Sequence, residues 1–421
     1  MTIRQYDNQN MIIHKNPKEL FEYVRSIDVN IIPSLKEILD SNTAAKVDID
    51  ELLNILYANS RAILLIDVRS EKEFEESSIP SSVNFPVLNN SERHNTGLIY
   101  KRYSRSAALH LALEYAVPKR ESLNRFLSDN NASLKDIFIY CWRGGGRSGY
   151  LAKMIADLGY NPVILRGGHR SFRKYVNDFF GQQIFPYELI ELSGLTGSGK
   201  TELLKAVSNI IPVIDLEDAA KHYSSLLGQI PYEINNIPPV KNQTVFENNL
   251  FCQIFFNKLN IKINFDQLKS LNPYSTTVPL TFLIESESKK VGDFEIPKSL
   301  YEKMQNALNI RIICSVENRV KRIVNDYFGI DLRGTEPMVR KLVEKENFFR
   351  QQLSNKIFDD LIDLLNKGKI YDFTEIMIRE YYDKKYKDKG KKSVAEISMD
   401  DPGQARDELI RVLRIYADEQ K

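Results

Sequence analysis

The stretch IFIYCWRGGGRS sets Cys141 at the end of an apolar run and follows it with Arg143, Gly144, Gly145, Gly146 and Arg147. The run reads as a buried strand and the residues beyond it as a helix. The thiol therefore sits at a strand's carboxyl end, where parallel α/β sheets take their ligands. Successive glycines let backbone N–H groups turn inward as an anion-binding nest, and the dipole of a helix beginning near Ser148 adds to that field. Such a field favours thiolate over thiol and makes Cys141 a nucleophile near neutral pH. Arg147, with Arg143 as a second candidate, offers paired charge-assisted hydrogen bonds to a tetrahedral oxyanion. A buried core cysteine behind a tight turn would explain Cys141 alone, but it leaves the three glycines and the Cys-x5-Arg spacing without a purpose.

A second phosphate-sized loop lies at residues 194–201, GLTGSGKT, between an apolar strand and the helix ELLKAVSNI. This is the context a P-loop requires. Gly194, Gly197 and Gly199 let backbone N–H groups wrap phosphate oxygens, Lys200 supplies a point charge, and the Thr201 hydroxyl suits Mg²⁺. Glu285, at the end of LTFLIE, is the natural Walker-B-like carboxylate, with Glu287 its competitor; no resident metal site of His and Cys ligands is expected. Arg319 and Arg322 stand where small-molecule kinases place lid arginines, and a salt-bridged helix face explains them nearly as well. The loop leaves open whether its ligand is a nucleotide or another diphosphate.

Between the two loops, LRGGHRSFRKYV gathers Arg166, His169, Arg170, Arg173 and Lys174 with Phe172 and Tyr175. Such basic and aromatic groups contact phosphates and stack on unpaired RNA bases, so these residues are candidate RNA contacts; a solvent-facing amphipathic helix is the plainer alternative. The charged run REYYDKKYKDKGKK reads as a solvated face.

The elements that must position these groups are α/β in pattern. Strands ILLID (63–67), IFIYC (137–141) and PVILR alternate with helices. A second series runs from YELIELSG (187–194) through VIDLE, LTFLIES and RIICSV (311–316). Alternation of this kind implies parallel sheets. The expected organisation is a helical extension over 1–45, a first α/β domain over 46–183, a P-loop α/β domain over 184–375 and a basic, helical segment over 376–421. LFCQIFF (250–256) is ordinary core, or else apolar surface for a ligand chain. With 58 basic and 56 acidic residues in 421, no global polycation exists, and a nucleic-acid partner must be met by local patches. Three widely spaced cysteines make no zinc or disulfide framework. Neither an apolar run of membrane-spanning length nor a signal-like N-terminus is present, so a cytoplasmic protein without membrane association is expected.

IDVRSEKEFEESSIPSSVNFP, upstream of Cys141, resembles the N-terminal motif of the rhodanese family through Asp67, Val68, Arg69, Glu73, Phe74, Ile79, Pro80, Asn84 and Pro86. The Cys141–Arg147 loop is one residue longer than in sulfur-carrying rhodaneses and matches the phosphatases of that fold, so it suits a phosphate-like donor. Together with a following P-loop, the segments CWRGGGRS, LRGGHRSFR, GLTGSGKTELL, IDLEDAAKH, NQTVFENNL and IESESKKVGDFEIP resemble the tRNA 2-selenouridine synthase family over residues 46–375. The resemblance implies a transferase that replaces sulfur with selenium in wobble 2-thiouridine. Selenophosphate would be the donor, and an S-geranyl intermediate would be made from geranyl diphosphate. It implies tRNA as partner and transient contact with a selenophosphate-producing enzyme. It gives Cys141, Arg143, Gly144, Gly145, Gly146 and Arg147 to selenium transfer and the P-loop to the diphosphate. Where the family has His-Arg-Gly-Ser, this chain reads His222-Tyr223-Ser224-Ser225. The competing readings are a rhodanese-fold Cys-x5-Arg phosphatase fused to a small-molecule kinase, and a nucleotide-switched RNA-binding protein.

Overall fold

The computed structural model describes residues 17–27, 44–57, 62–255, 280–385 and 391–419. The chain divides into two compact units, residues 1–177 and 178–421.

In the first unit, α1 (Pro17–Arg25) is followed by β1 (Ala45–Val47), α2 (Ile49–Tyr57), β2 (Ile63–Asp67), α3 (Glu71–Glu76) and β3 (Val83–Asn84). Three helices, α4 (Asn90–Arg102), α5 (Arg105–Ala116) and α6 (Arg120–Asp129), lead into β4 (Asp136–Tyr140), α7 (Gly146–Ala156), β5 (Val163–Leu165) and α8 (Gly168–Phe180). The sheet order is β1-β5-β4-β2-β3, with every pair parallel. β2 and β4 are near-continuous apolar runs because a parallel sheet flanked by helices is buried on both faces; in each, four of the five residues are buried. The three-residue β1 is too short to show an alternation in sequence, and only its pairing with β5 defines it. Reciprocal Ser70–Glu73 and Asn89–Glu92 capping boxes start α3 and α4. Within the expected N-terminal helical extension, α1 packs Leu20 and Val24 against Ile99, Ala107, Ala108 and Leu111 of α4 and α5. Its companion PSLKEIL lies outside the described residues.

The second unit opens with β6 (Glu188–Ser193), α9 (Lys200–Val207), β7 (Val213–Ile214), α10 (Leu216–Ala220) and α11 (Ile230–Ile234). A helix over 243–255, α12, precedes β8 (Thr281–Glu285), the β9–β10 hairpin (Lys290–Val291 and Phe294–Glu295), α13 (Lys298–Gln305) and β11 (Leu308–Ile313). The helices α14 (Val316–Phe328), α15 (Thr335–Glu344), α16 (Glu346–Leu353), α17 (Asn355–Asn366) and α18 (Ile370–Ile376) follow. With α11 they share an apolar core that includes Phe328, Leu342, Phe349, Phe358, Leu361 and Phe373. Last come β12 (Ser393–Ser398) and α19 (Pro402–Glu419).

The second sheet, β12-β11-β6-β8-β7, is also parallel throughout. Residues 376–421, read from sequence as a separate basic segment, thus supply an edge strand. Ile397 and Leu409 of β12 and α19 join Ile190, Leu192, Leu203 and Leu204 in one core. In the charged run before β12, Arg379 pairs with Glu375, Lys384 with Glu380 and Lys391 with the buried Glu191; residues 386–390 lie outside the described residues.

Candidate functional site

Each unit places one loop at the carboxyl end of the middle strand of its own five-stranded sheet: β4 leads to Cys141, and β6 leads to Gly194. Both loops feed a helix with no side-chain cap, α7 behind Gly145 and α9 behind Gly199. First-turn N–H groups of such helices are left for a ligand.

Cys141 is 4% exposed. Its Sγ lies 3.3 Å from Ser148 Oγ and accepts a hydrogen bond from Gly145 N, also at 3.3 Å. Burial pushes the thiol up. The Ser148 hydroxyl, the Arg147 charge and the backbone N–H groups of Ser148 and Arg143 outweigh burial, so the thiol falls below its ordinary value. The loop interlocks with the turn before α8. Gly168 has φ +58°, and a Cβ there would stand 2.1 Å from Cys141 O and 2.6 Å from Gly144 N. Only glycine allows that approach. His169 N then donates to Cys141 O at 2.8 Å, and Arg170 N to Trp142 O at 3.0 Å.

The two loop arginines differ in what they face. Arg147 donates to both carboxylate oxygens of Glu73, at 2.8 and 3.5 Å, and Arg93 reaches the same carboxylate at 2.8 Å. Burial would raise Glu73, but the Arg147 hydrogen bond and the charges of Arg147 and Arg93 hold it below its ordinary value. Arg143 is exposed and makes no ion pair among the described residues. The sequence ranks Arg147 first as oxyanion holder. In the structure Arg147 is committed to Glu73 and acts on the thiol through its charge, while Arg143 faces outward. Upstream, Asp67 and Arg69 form a buried ion pair at 2.6 Å. Asn84 Nδ2 donates to Asp67 O and Arg69 O at 2.8 and 2.9 Å, which ties the turn after β2 to β3.

Among the candidate tRNA contacts, Arg166, Arg170 and Lys174 are exposed, and Arg173 is half-buried with its guanidinium 2.7 Å from Asn177 Oδ1. His169 departs from the expectation: it is 2% exposed. It shares the inward face of α8 with Phe172 and Val176, three and seven residues on, which turns the ring into the core. The ring stacks with Tyr140 and Trp142, and Nε2 lies 3.2 Å from Ser77 Oγ. Burial, then the charges of Arg69 and Arg173, push it down to about 3, so the imidazole is neutral.

In the P-loop, a Cβ on Gly194 would stand 2.3 Å from Ile312 O, where β11 passes behind the turn. Gly197 and Gly199 both adopt positive φ, at +76° and +91°. Lys200 Nζ lies 2.9 Å from Gly194 O and 3.4 Å from Leu195 O, inside the loop. Thr201 Oγ1 lies 3.0 Å from Glu285 Oε2 and 3.2 Å from Glu217 Oε2, and Glu217 N donates to Glu285 Oε1 at 3.0 Å. Of the two Walker-B-like candidates, Glu285 is the one at the Thr201 hydroxyl; Glu287 is half-buried and adds repulsion to Glu217. Glu217 and Glu285 are both raised, first by burial and then by neighbouring carboxylates. Hydroxyl and carboxylate oxygens fit a hard cation such as Mg²⁺. Among the described residues no group of three or more His, Cys, Asp or Glu is arranged to hold a metal ion by itself.

Arg319 is 2% exposed, clamped by Asp383 at 2.5 and 3.0 Å and donating to Thr196 O at 2.9 Å. Arg322 binds Glu202 at 2.7 Å and Met399 O at 2.6 Å. Both brace the loop from behind, which matches the salt-bridged alternative. In LFCQIFF, residues 250–252 and 254 are buried core and 256 lies outside the described residues.

Sequence reasoning missed Glu73, Ser148 and Glu217 as site residues. Glu73 carries a local signal as the acidic half of the Ser70 capping box, and Ser148 as the first-turn hydroxyl of the helix behind the loop. Glu217 lies within VIDLE and IDLEDAAKH, where nothing local distinguishes it from Asp215 and Asp218.

The family model of the rhodanese-like domain matches residues 48–175, and that of the tRNA 2-selenouridine synthase AAA domain matches residues 187–415. A tRNA 2-selenouridine synthase of Nitrosomonas eutropha is 31% identical over 67% of this chain and 66% of its own length. That of Nitrosomonas europaea is 29% identical over 74% of this chain and 77% of its own length. A solved N-terminal domain of an ATP/GTP-binding protein from Clostridium difficile 630 is 29% identical over 31% of this chain and 98% of its own, at a TM-score of 0.29. A rhodanese-like unit followed by a match to the tRNA 2-selenouridine synthase AAA domain over more than half of the chain shows that the chain belongs to the tRNA 2-selenouridine synthase family.

Proposed function

We propose that the chain converts 2-thiouridine at the wobble position of tRNA into 2-selenouridine, through an S-geranyl intermediate. The observation that carries the reading is the division of chemistry between two anion-binding loops: one bears a thiol held below its ordinary value, and the other bears only phosphate-binding groups. In the first half-reaction the thiocarbonyl sulfur attacks C1 of geranyl diphosphate, the C–O bond breaks and N3 loses its proton. Lys200 and the N–H groups around Gly194, Gly197 and Gly199 hold the departing diphosphate. Thr201 and Glu285 would hold Mg²⁺, which would supply positive charge toward the diphosphate. In the second half, selenium of selenophosphate attacks C2 and geranylthiol leaves with a proton. Water then cleaves the P–Se bond, giving phosphate and restoring N3–H. Cys141, Arg143 and the loop N–H groups of Gly144, Gly145 and Gly146 serve this half, with Arg147 setting the charge of the thiol. A tRNA substrate implies a cytoplasmic setting and a selenophosphate-producing enzyme as supplier. Among the described residues no helix is long and apolar enough to cross a membrane.

The test is mass spectrometry of tRNA nucleosides after incubation with thiolated tRNA, geranyl diphosphate and selenophosphate. Folded Cys141→Ser protein is expected to geranylate without incorporating selenium, and full selenation by it would remove the role given to Cys141. The phosphatase-like length of the Cys141–Arg147 loop favours one alternative, a phosphatase fused to a kinase. Steady phosphate release from an aryl phosphate, abolished in Cys141→Ser, would support that alternative.

A further inference from the structure

Trp142, the only tryptophan in the chain, is 41% exposed although it directly follows the nearly buried Cys141. Its exposed ring offers a flat apolar face beside the thiol. The indole is not loose. It stacks on His169 with ring centroids 5.6 Å apart and planes 29° from parallel, and His169 stacks in turn with the fully buried Tyr140 at 6.3 Å and 23°. His169 is anchored through Nε2 to Ser77 Oγ, and its backbone N–H is bonded to Cys141 O. Arg170 N holds Trp142 O at 3.0 Å. The ring is therefore rigidly backed on the imidazole side, and its exposed area lies away from His169. Arg143, next in the chain, and Arg170, whose backbone N–H holds the Trp142 carbonyl, are exposed cations, whereas Arg166 pairs with Asp48. A pre-positioned aromatic face beside guanidinium groups is how proteins hold an unpaired base and its flanking phosphates.

Resting on the tRNA-modifying reading above, we propose that Trp142 is the stacking platform for the wobble base, holding the flipped pyrimidine ring against its exposed face beside Cys141 while Arg170 meets an adjoining phosphate. The His169 imidazole stays neutral at working pH and adds no charge of its own behind the platform. The uncapped N-terminus of α7 then faces the donor anion and not the base.

A single tryptophan makes the test direct, because all indole emission of this chain comes from Trp142. The probe is an anticodon stem-loop RNA with 2-thiouridine at the wobble position, its binding followed independently by filter retention. Saturating RNA is expected to quench the emission, and the same RNA with an abasic wobble position to bind without quenching. Trp142→Ala is expected to weaken binding by roughly 5- to 150-fold, the range for loss of one base–aromatic stack, and Trp142→Phe to restore most of it. RNA that binds with unchanged emission, equal quenching by the abasic RNA, or equal loss in Trp142→Phe and Trp142→Ala would overturn the platform. The first two results leave the tRNA-modifying function standing, whereas failure of every RNA to bind removes both.

Discussion

At the scale of single residues, the chemistry rests on which charges reach Cys141. Burial opposes ionisation there, and Ser148, Arg147 and two backbone N–H groups reverse it. Cys314 provides an internal contrast. Burial raises its thiol, the Arg322 contact lowers it and the Asp400 contact raises it again, which leaves it above its ordinary value. Since the thiolate is the reactive form, alkylation by iodoacetamide should rise with pH through a midpoint lower for Cys141 than for Cys314, read by peptide mass spectrometry. Ser148→Ala and Arg147→Ala should each move the Cys141 midpoint upward, because each removes a group that favours the charged sulfur. Coincident midpoints for the two cysteines would remove the activated-thiol reading. Cys141→Ser should lower selenium incorporation by about three orders of magnitude or more. The sequence displays Cys141, the glycines and both arginines, because their spacing is local. It does not display that Glu73, 74 residues away, occupies Arg147, because that pairing depends on how α3 and α7 meet.

At the scale of elements, Glu73 joins three helices: it belongs to α3 and binds Arg93 of α4 and Arg147 of α7. Its folded carboxyl lies below the ordinary glutamate value of about 4.3. Its stabilisation is thus full above that value and is lost as pH falls through the lower folded one. Glu73→Gln should reduce stability at neutral pH by on the order of 1–3 kcal/mol and flatten the acid side of a urea-midpoint against pH curve. An unchanged acid limb would show that Glu73 carries no such linkage. The turn into α8 gives a second test. Gly168→Ala forces a left-handed alanine against Cys141 O, costing about 1–3 kcal/mol from backbone conformation alone, with the steric overlap in addition. The thermal midpoint should fall and Cys141 alkylation should change with it, since the displaced carbonyl belongs to Cys141 itself. The long strands were legible because β2, β4, β6 and β8 are apolar runs bounded by breakers. The short ones, β1 with three residues and β7 with two, carry too little pattern and are defined by their partners.

At the scale of the whole molecule, two parallel sheets each hold one loop, and the division of labour should be separable by mutation. Lys200→Ala should lower geranylation by about 10²- to 10³-fold while circular dichroism and the Cys141 alkylation profile stay unchanged. A normal geranylation rate at limiting geranyl diphosphate would remove the P-loop assignment. The charge is near balanced, so if exposed cations such as Arg170 and Lys174 make the RNA contacts expected of them, affinity should fall with salt as those phosphate contacts are screened. The sequence by itself determined the two loops, their order and the parallel α/β class, because glycine spacing, strand hydrophobicity and helix periodicity are properties of contiguous residues. Tertiary structure alone decided that residues 393–398 complete the second sheet, that His169 turns inward while Arg170 stays out, and that Glu285 and Glu217 share the Thr201 hydroxyl. Each of those outcomes is fixed by burial and pairing between residues far apart in the chain, which no local pattern encodes.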